Sequence, residues 1–206
     1  MGSHLDIGRQ RLQLVTARPT PEDEASTRIS FWWSLTASAL ALARHLETLD
    51  NLEGQRVIEL GCGVGLAGTT AARLGATVTF SDLSASALSS ARELCRVNGV
   101  DGRARFLELD WERTPPGLGE FDLVLGSEIL YDYYSHAGLL QQIRGLVAPS
   151  GRVFLADRKR LVVSRFLGRL IDTGFVCAEE QLQASLPGEA DQLVSVFVLR
   201  RPPPVV

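Results

Sequence analysis

Residues 56–65 read Arg-Val-Ile-Glu-Leu-Gly-Cys-Gly-Val-Gly, an apolar strand that runs directly into three glycines at alternate positions. Val57, Ile58 and Leu60 have the apolar or β-branched side chains of a buried parallel strand, and the pattern over residues 66–74 predicts a helix. Because glycine has no Cβ, the backbone at such a corner can lie directly against a bound molecule. A plain turn from a strand into a helix needs fewer glycines than this. We therefore interpret the corner as a ligand-binding site.

The glycines fit two motifs in different registers. Gly63-Val-Gly-Leu-Ala-Gly68 matches the G-x-G-x-x-G pattern of dinucleotide-binding sites. Glu59-Leu-Gly-Cys-Gly-Val-Gly65 instead places an acidic residue before G-x-G-x-G. We prefer the second register because its first glycine follows the strand directly, whereas the first register leaves Gly61 and Cys62 outside the motif. The glycines alone do not decide between the two ligands.

Length and composition indicate one domain with a large core. The chain has 206 residues, of which 45% are hydrophobic. Its net charge of −3 gives no basic surface for a polyanion, so we expect no nucleic-acid partner. No apolar run is long enough to span a membrane, and the N-terminus lacks the pattern of a signal peptide. We therefore expect a cytoplasmic protein, monomeric and with no membrane partner.

The cysteines and histidines indicate neither a disulfide framework nor a metal site. The three cysteines are odd in number and far apart, and the three histidines have no ligand spacing with them. We expect no bound metal.

The first 30 residues are expected to lie outside the main domain. Met1-Gly-Ser-His4 resembles the remainder of an expression tag. The rest, up to residue 30, mixes charges and prolines with scattered apolar positions, which favours an exposed or mobile arm. The main domain is predicted over residues 31–201, and residues 202–206 form a solvated tail.

Two adjacent tryptophans precede the first predicted helix, which spans residues 34–46 with Ser34 as its N-cap. Two such side chains have too much apolar surface to remain in water. We expect one to pack in the core and Trp33 to form a wall of the ligand pocket.

Two later strands are predicted to end in acidic residues, at Asp82 and Asp110. Ligands bind beyond the carboxyl ends of strands in open parallel sheets, so both side chains should lie near the glycine corner. Asp82 can accept hydrogen bonds from two ribose hydroxyls, or cap the next helix, a role for which Ser84 is already suited. Asp110 and the following Trp111 have the right chemistry for the amino group and the ring face of adenine.

The rest of the chain predicts alternating strands and helices and then a hairpin. Strands are predicted over residues 121–127 and 151–157, and helices over residues 138–147 and 161–172. Two last strands, over residues 175–180 and 193–199, have no helix between them and must be antiparallel, because a parallel pair needs a longer crossover. The sequence therefore predicts an α/β, doubly wound, mostly parallel sheet with an antiparallel C-terminal hairpin.

Taken in order, the motifs of residues 31–200 resemble the class I S-adenosylmethionine (SAM)-dependent methyltransferases. Within that class they resemble the seven-β-strand protein-lysine methyltransferase group, methyltransferase family 16. That group has an acidic-x-x-aromatic motif after the fourth strand, usually Asp-x-x-Tyr, which Glu128-Ile-Leu-Tyr131 matches with glutamate in place of aspartate. The Asn-Pro-Pro-Tyr motif of nucleic-acid and glutamine N-methyltransferases is not matched.

The resemblance implies a seven-stranded sheet, SAM as cofactor and S-adenosylhomocysteine as product. It assigns the acceptor chemistry to Glu128 and Tyr131. It assigns cofactor binding to residues at the carboxyl ends of the strands and before the first helix, namely Trp33, Glu59, Gly61, Cys62, Gly63, Gly65, Leu66, Asp82, Leu83, Asp110, Trp111 and Ser127.

The function implied is N-methylation of a lysine side chain of a protein. Transfer from a sulfonium requires collinear nucleophile, methyl carbon and sulfur, so an enzyme contributes mainly orientation and exclusion of water. The lysine must arrive neutral, which a dry aromatic pocket favours and a carboxylate opposes. A small-molecule acceptor and a binding protein without turnover are the alternatives, and an NAD oxidoreductase ranks last.

Overall fold

A seven-stranded sheet forms the centre of the fold. The protein is described by a computed structural model over residues 3–21, 23, 32–113 and 118–201. Its strands are β1 (His4–Asp6), β2 (Arg11–Gln13), β3 (Arg56–Leu60), β4 (Thr77–Asp82), β5 (Ala104–Glu108), β6 (Phe121–Ser127), β7 (Val147–Asp157), β8 (Val176–Ala184) and β9 (Gln192–Arg200). The large sheet has the order β5-β4-β3-β6-β7-β9-β8.

The direction of the strands agrees with the sequence. The strands from β3 to β7 run parallel to one another, and β9 is antiparallel to both β7 and β8. The predicted doubly wound, mostly parallel sheet with an antiparallel C-terminal hairpin is confirmed.

Helices cover both faces of this sheet: α1 (Ala37–Leu46), α2 (Leu66–Arg73), α3 (Ala85–Val97), α4 (His136–Leu146) and α5 (Leu161–Asp172). The first three pack into one hydrophobic cluster and the last two into another. Successive side chains of β6 alternate between the clusters, with Leu123 and Leu125 in the first and Val124 in the second. None of the described helices is long and apolar enough to span a bilayer.

Some element boundaries differ from the prediction for local reasons. Helix α1 begins at Ala37 because Thr36, not Ser34, is its N-cap, and the Thr36 hydroxyl accepts a hydrogen bond from the Ala39 N–H at 3.1 Å. Strand β5 ends at Glu108, two residues before Asp110.

The N-terminal residues depart furthest from expectation. Strands β1 and β2 pair as an antiparallel hairpin, in which His4 lies opposite Gln13. Leu5, Ile7 and Leu12 are buried in the same cluster as α1. The expectation of an exposed arm therefore does not hold for residues 5–13, whose apolar side chains belong to the core. The tag remnant stays a prediction. Residues 1–2, 22, 24–30 and 202–206 of the predicted tag, arm and tail lie outside the described residues.

Candidate active site

The glycine corner after β3 has a backbone that only glycine suits. Gly61 and Gly63 have φ angles of 58° and 51°, a left-handed region that other residues rarely adopt. A Cβ on Gly63 would lie 2.9 Å from the Trp32 carbonyl oxygen, and one on Gly61 would lie 2.8 Å from the Ile129 side chain. The corner is therefore packed on both sides by residues distant in sequence.

The other residues of the motif support the corner from within the protein. The Cys62 N–H donates to the Ser81 carbonyl at 2.9 Å, and the Cys62 carbonyl accepts from the Gly65 N–H at 2.8 Å. A Cβ on Gly65 would lie 2.8 Å from Ala91 of α3, so this glycine permits close packing of helices. Leu66 is buried as the first residue of α2.

Glu59 lies beneath the corner. Its side chain is buried, and one carboxylate oxygen accepts a hydrogen bond from the Gly68 N–H in the first turn of α2 at 2.9 Å. Burial raises the pKa of Glu59 to about 8, the bond from Gly68 opposes this rise, and the charge of Asp82 adds to it. Glu59 thus holds the start of α2 in place, and its direct contact with a cofactor stays a prediction.

Asp82 joins the end of β4 to the corner. One oxygen of its carboxylate accepts from the Gly63 N–H and the other from the Ser84 N–H, both at 2.9 Å. Burial raises the pKa of Asp82, while N–H donors, including that of Leu83, lower it. Ser84 caps α3 through its hydroxyl, which accepts from the Ala87 N–H at 3.2 Å. With three backbone N–H donors and about four lone pairs, the carboxylate of Asp82 retains capacity to accept a further hydrogen bond from a ribose.

Trp111 lies against the corner from the next strand along the sheet. Its ring is 3.3 Å from the position of a Cβ on Gly61. The Leu109 N–H donates to the Asp82 carbonyl at 2.9 Å, which holds the two strand ends together. Asp110 is half-buried and accepts from the Glu112 N–H at 3.1 Å. The predicted adenine residues are therefore next to the predicted ribose residue.

One of the two tryptophans before α1 is buried, as expected, while the role of Trp33 in the ligand pocket stays a prediction. Trp32 is buried, and its backbone packs on Gly63. Trp33 is half-buried, with its ring perpendicular to that of Trp32 at a centroid distance of 6.0 Å. The tryptophan segment thus lies at the corner.

Glu128 follows β6 in a strained conformation. Its φ of 52° is unusual for a residue with a side chain and costs on the order of 1–3 kcal/mol. Its N–H donates to the Ala156 carbonyl at 3.0 Å, beside the half-buried Ser127. The strain must be offset by surrounding contacts.

Those contacts occupy the carboxylate of Glu128. One oxygen accepts from the Ser38 hydroxyl at 2.6 Å and from Arg158 Nε at 3.3 Å, and the other accepts from Arg160 Nη2 at 2.8 Å. The side chain of Glu128 is only 17% exposed. The sequence predicted an acidic group facing the acceptor but none of these partners.

Tyr131, by contrast, is 46% exposed. Ile129, between it and Glu128, is the residue that meets Gly61. The acceptor motif and the glycine corner are therefore in contact. Tyr133 and Tyr134, in the loop that follows, are exposed.

Sequence reasoning missed Ser38, Asp157, Arg158 and Arg160. Asp157 ends β7 and carries the same signal, an acidic residue at a strand end, that indicated Asp82. It is fully buried, and Arg160 bridges it to Glu128. No local sequence pattern indicates that the Ser38 hydroxyl of α1 donates to the Glu128 carboxylate.

Comparison with known proteins identifies the family. The sequence model of a family described as lysine methyltransferase matches residues 22–173. The chain belongs to this family. The resemblance noted in the sequence, and SAM as the cofactor that membership of this family implies, are thereby confirmed.

Similar proteins include two named lysine methyltransferases. The EEF1A lysine methyltransferase 3 of Mus musculus is 37% identical over 128 residues, which are 60% of this chain and 54% of that protein. The protein N-lysine methyltransferase METTL21A of Xenopus tropicalis is 33% identical over 131 residues, 60% of this chain and 59% of that protein. The chain thus spans little more than half the length of these curated relatives.

Solved structures show the same fold at low identity. The magnesium protoporphyrin IX methyltransferase of Synechocystis PCC 6803, solved with SAM, superimposes with a TM-score of 0.60 at 21% identity, over 80% of this chain and 78% of that one. The glycopeptide N-methyltransferase MtfA with SAM gives 0.64 at 17% identity, over 82% of this chain and 96% of that one.

The corner of this lysine methyltransferase family member suits SAM. The left-handed glycines have no Cβ, so their backbone can lie close to a ligand. The Asp82 carboxylate has acceptor capacity for a ribose, and the Trp111 ring lies beside Gly61.

Proposed function

We propose that this chain transfers a methyl group from SAM to a lysine side chain of a protein. The observation that carries the proposal is the contact between the acceptor motif and the corner, where Ile129 packs on Gly61. Because the two meet at one backbone position, a lysine held by Glu128 and Tyr131 would be next to the methyl donor. The names of the relatives support a protein acceptor.

The residues of the chain supply orientation. When bound, SAM provides a methyl group activated by its sulfonium. Glu128 orients the acceptor amine through the lone pair that remains on the oxygen bound by Arg160, and it stabilises the cationic product. Tyr131 and Trp33 contribute aromatic faces that tolerate a cation and limit access of water.

An exposed rim favours a protein over a small molecule as acceptor. Tyr131, Tyr133 and Tyr134 are 46%, 59% and 89% exposed and follow directly after Glu128. Tyrosine is enriched in protein interfaces because it combines a large apolar face with a polar end. Since Leu5, Ile7 and Leu12 anchor the hairpin of β1 and β2 in the core, this hairpin does not form a lid that would close over a small molecule.

The experiment is incubation of the protein and labelled SAM with whole, undialysed lysate of the source organism, followed by separation of protein-bound label from small-molecule label. We expect label in protein, on lysine after hydrolysis. Label only in small molecules would refute the proposal and support the small-molecule alternative. Absence of transfer together with SAM binding would support a binding protein.

A paired variant tests the role of Glu128. Glu128→Gln keeps the size of the side chain but removes its charge, so SAM affinity should be retained while transfer falls by up to about 10²–10³-fold. The neighbouring arginines reduce this value because they already compensate the charge. Glu120→Gln is the matched control, since Glu120 is exposed at the opposite end of β6. Equal loss of affinity and rate in Glu128→Gln would assign Glu128 to the cofactor site.

The sequence-based expectations of a cytoplasmic, monomeric protein with neither nucleic-acid nor membrane partners remain part of the proposal. Size-exclusion chromatography with light scattering measures the oligomeric state. Treatment of the lysate with nuclease before labelling measures whether nucleic acid takes up or mediates transfer of the label.

A further inference from the structure

The acceptor carboxylate poses an electrostatic problem. A lysine amine attacks only when neutral, but a negative charge within about 4–6 Å stabilises its charged form. Glu128 is the acidic residue of the acceptor motif, and Asp157 is close enough to accept a hydrogen bond from the same Arg160 nitrogen. Two uncompensated carboxylates would hold the amine in its unreactive ammonium form.

Arg160 bridges both carboxylates. Its Nη2 donates to Glu128 at 2.8 Å and also to Asp157, and its side chain is 32% exposed. Asp157 is fully buried, with one oxygen that has no hydrogen-bond partner among the described residues. A buried carboxylate of this kind holds a guanidinium strongly because neither charge is well screened by water.

The other groups that face Glu128 compensate its negative charge less than Arg160 does. Arg158 is 55% exposed and its Nε is 3.3 Å from Glu128, so solvent screens it more. Ser38 from α1 is neutral, and Tyr131 belongs to the loop of Glu128 itself. Lys159 pairs with Glu179 of β8 at 3.5 Å. Arg160 is therefore the cation best placed to offset Glu128.

We propose that Arg160 is a positioning residue that compensates the charge of Glu128, so that the acceptor amine can bind in its neutral form. The inference rests on the proposed function. Glu128 remains able to orient the amine, because the geometry of its carboxylate is fixed by Ser38 and Arg160. Its field on the amine is reduced because Arg160 cancels much of its charge. Asp157 holds Arg160 in place.

The first test is the pH dependence of label transfer into lysate protein, measured from about pH 6.5 to about pH 10, the range in which a lysine with lowered or ordinary pKa titrates. In Arg160→Gln, the amine should titrate about one pH unit higher, at the lower end of the effect of one nearby charge. Transfer at neutral pH should fall about tenfold, since the neutral fraction falls tenfold per pH unit. The rate should approach that of the wild type at alkaline pH.

Two further variants separate charge from structure. Arg160→Lys keeps the charge and should keep the wild-type pH profile. Arg165→Gln removes an exposed arginine of the adjoining helix and should change nothing. A transfer rate of Arg160→Gln that is lowered by the same factor at every pH would overturn the proposal. That result would indicate a structural defect, which a higher pH does not reverse.

The second test does not need turnover. A double-mutant cycle of Glu128→Gln and Arg160→Gln, read by urea unfolding, measures whether the two charges interact. We expect the effects to be coupled by at least about twofold in the unfolding equilibrium constant. Additive effects would overturn the inference even if transfer to lysine is observed. A wild type that labels no protein would refute the proposed function, while the cycle would still decide whether Arg160 compensates Glu128.

Discussion

Replacement of Asp82 by alanine should weaken cofactor binding and loosen the corner at once. Asp82 accepts hydrogen bonds from the N–H groups of Gly63 and Ser84 and has lone pairs left for a ribose. Loss of the charged acceptor should cost about 1.5–3 kcal/mol of binding free energy, or roughly 10–150-fold in Kd. The loss for two ribose hydroxyls should not be twice this value, because water can accept a hydrogen bond from one of them in the variant.

The same change has a second, separable effect. The amides of Gly63 and Ser84 lose their acceptor, which should lower the free energy of unfolding by about 1–3 kcal/mol. Calorimetric titration with S-adenosylhomocysteine measures the first effect and urea unfolding the second. Asp172→Ala, at an exposed helix end, is the control. Unchanged affinity with reduced stability would refute the ribose assignment and leave Asp82 as a support of the corner.

Two other predictions concern the interior. The folded-state pKa of Glu59, about 8, lies above its ordinary value of 4.5, so the folded protein keeps a proton that the unfolded chain has lost, and stability should fall as the pH rises between these values. Glu59→Gln keeps an acceptor for Gly68 and should remove the contribution of Glu59 to this loss of stability. Urea unfolding midpoints measured across that pH range test the prediction. The same pH dependence in both proteins would contradict the raised pKa of Glu59. Leu12→Ala should lower the free energy of unfolding by about 2–5 kcal/mol, as expected for a fully buried leucine, without changing the affinity for S-adenosylhomocysteine. An unaffected unfolding midpoint would mean that the hairpin of β1 and β2 does not belong to the core.

The sequence predicted those helices and strands that have a long apolar pattern flanked by polar residues or glycine. Phe121–Ser127 and Leu161–Asp172 have the predicted bounds for this reason. The strands His4–Asp6 and Arg11–Gln13 have three residues each, too few to form a periodic pattern. Their burial depends on pairing with each other and on packing beneath α1, and neither is visible locally.

The candidate site also has a part that the sequence predicted and a part that it did not. The corner could be predicted because Gly61, Asp82 and Trp111 come from successive strand ends, which parallel topology brings to one edge. The partners of Glu128 could not, because Ser38 and Arg160 reach it from elements separated from it by 90 and 32 residues. Side-chain pairing at such separations depends on the completed fold.

Ile129 limits how this site can diversify. A Cβ on Gly61 would lie 2.8 Å from its side chain and one on Gly126 would lie 2.3 Å from it, so a single added methyl group at either position would collide with it. Substitution of Gly61 or Gly126 is consequently restricted, because even one added methyl group is penalised by packing against Ile129. The exposed tyrosines of the rim have no such constraint. Related chains that accept different proteins are therefore expected to differ at positions 131, 133 and 134 and to retain the glycines that enclose position 129.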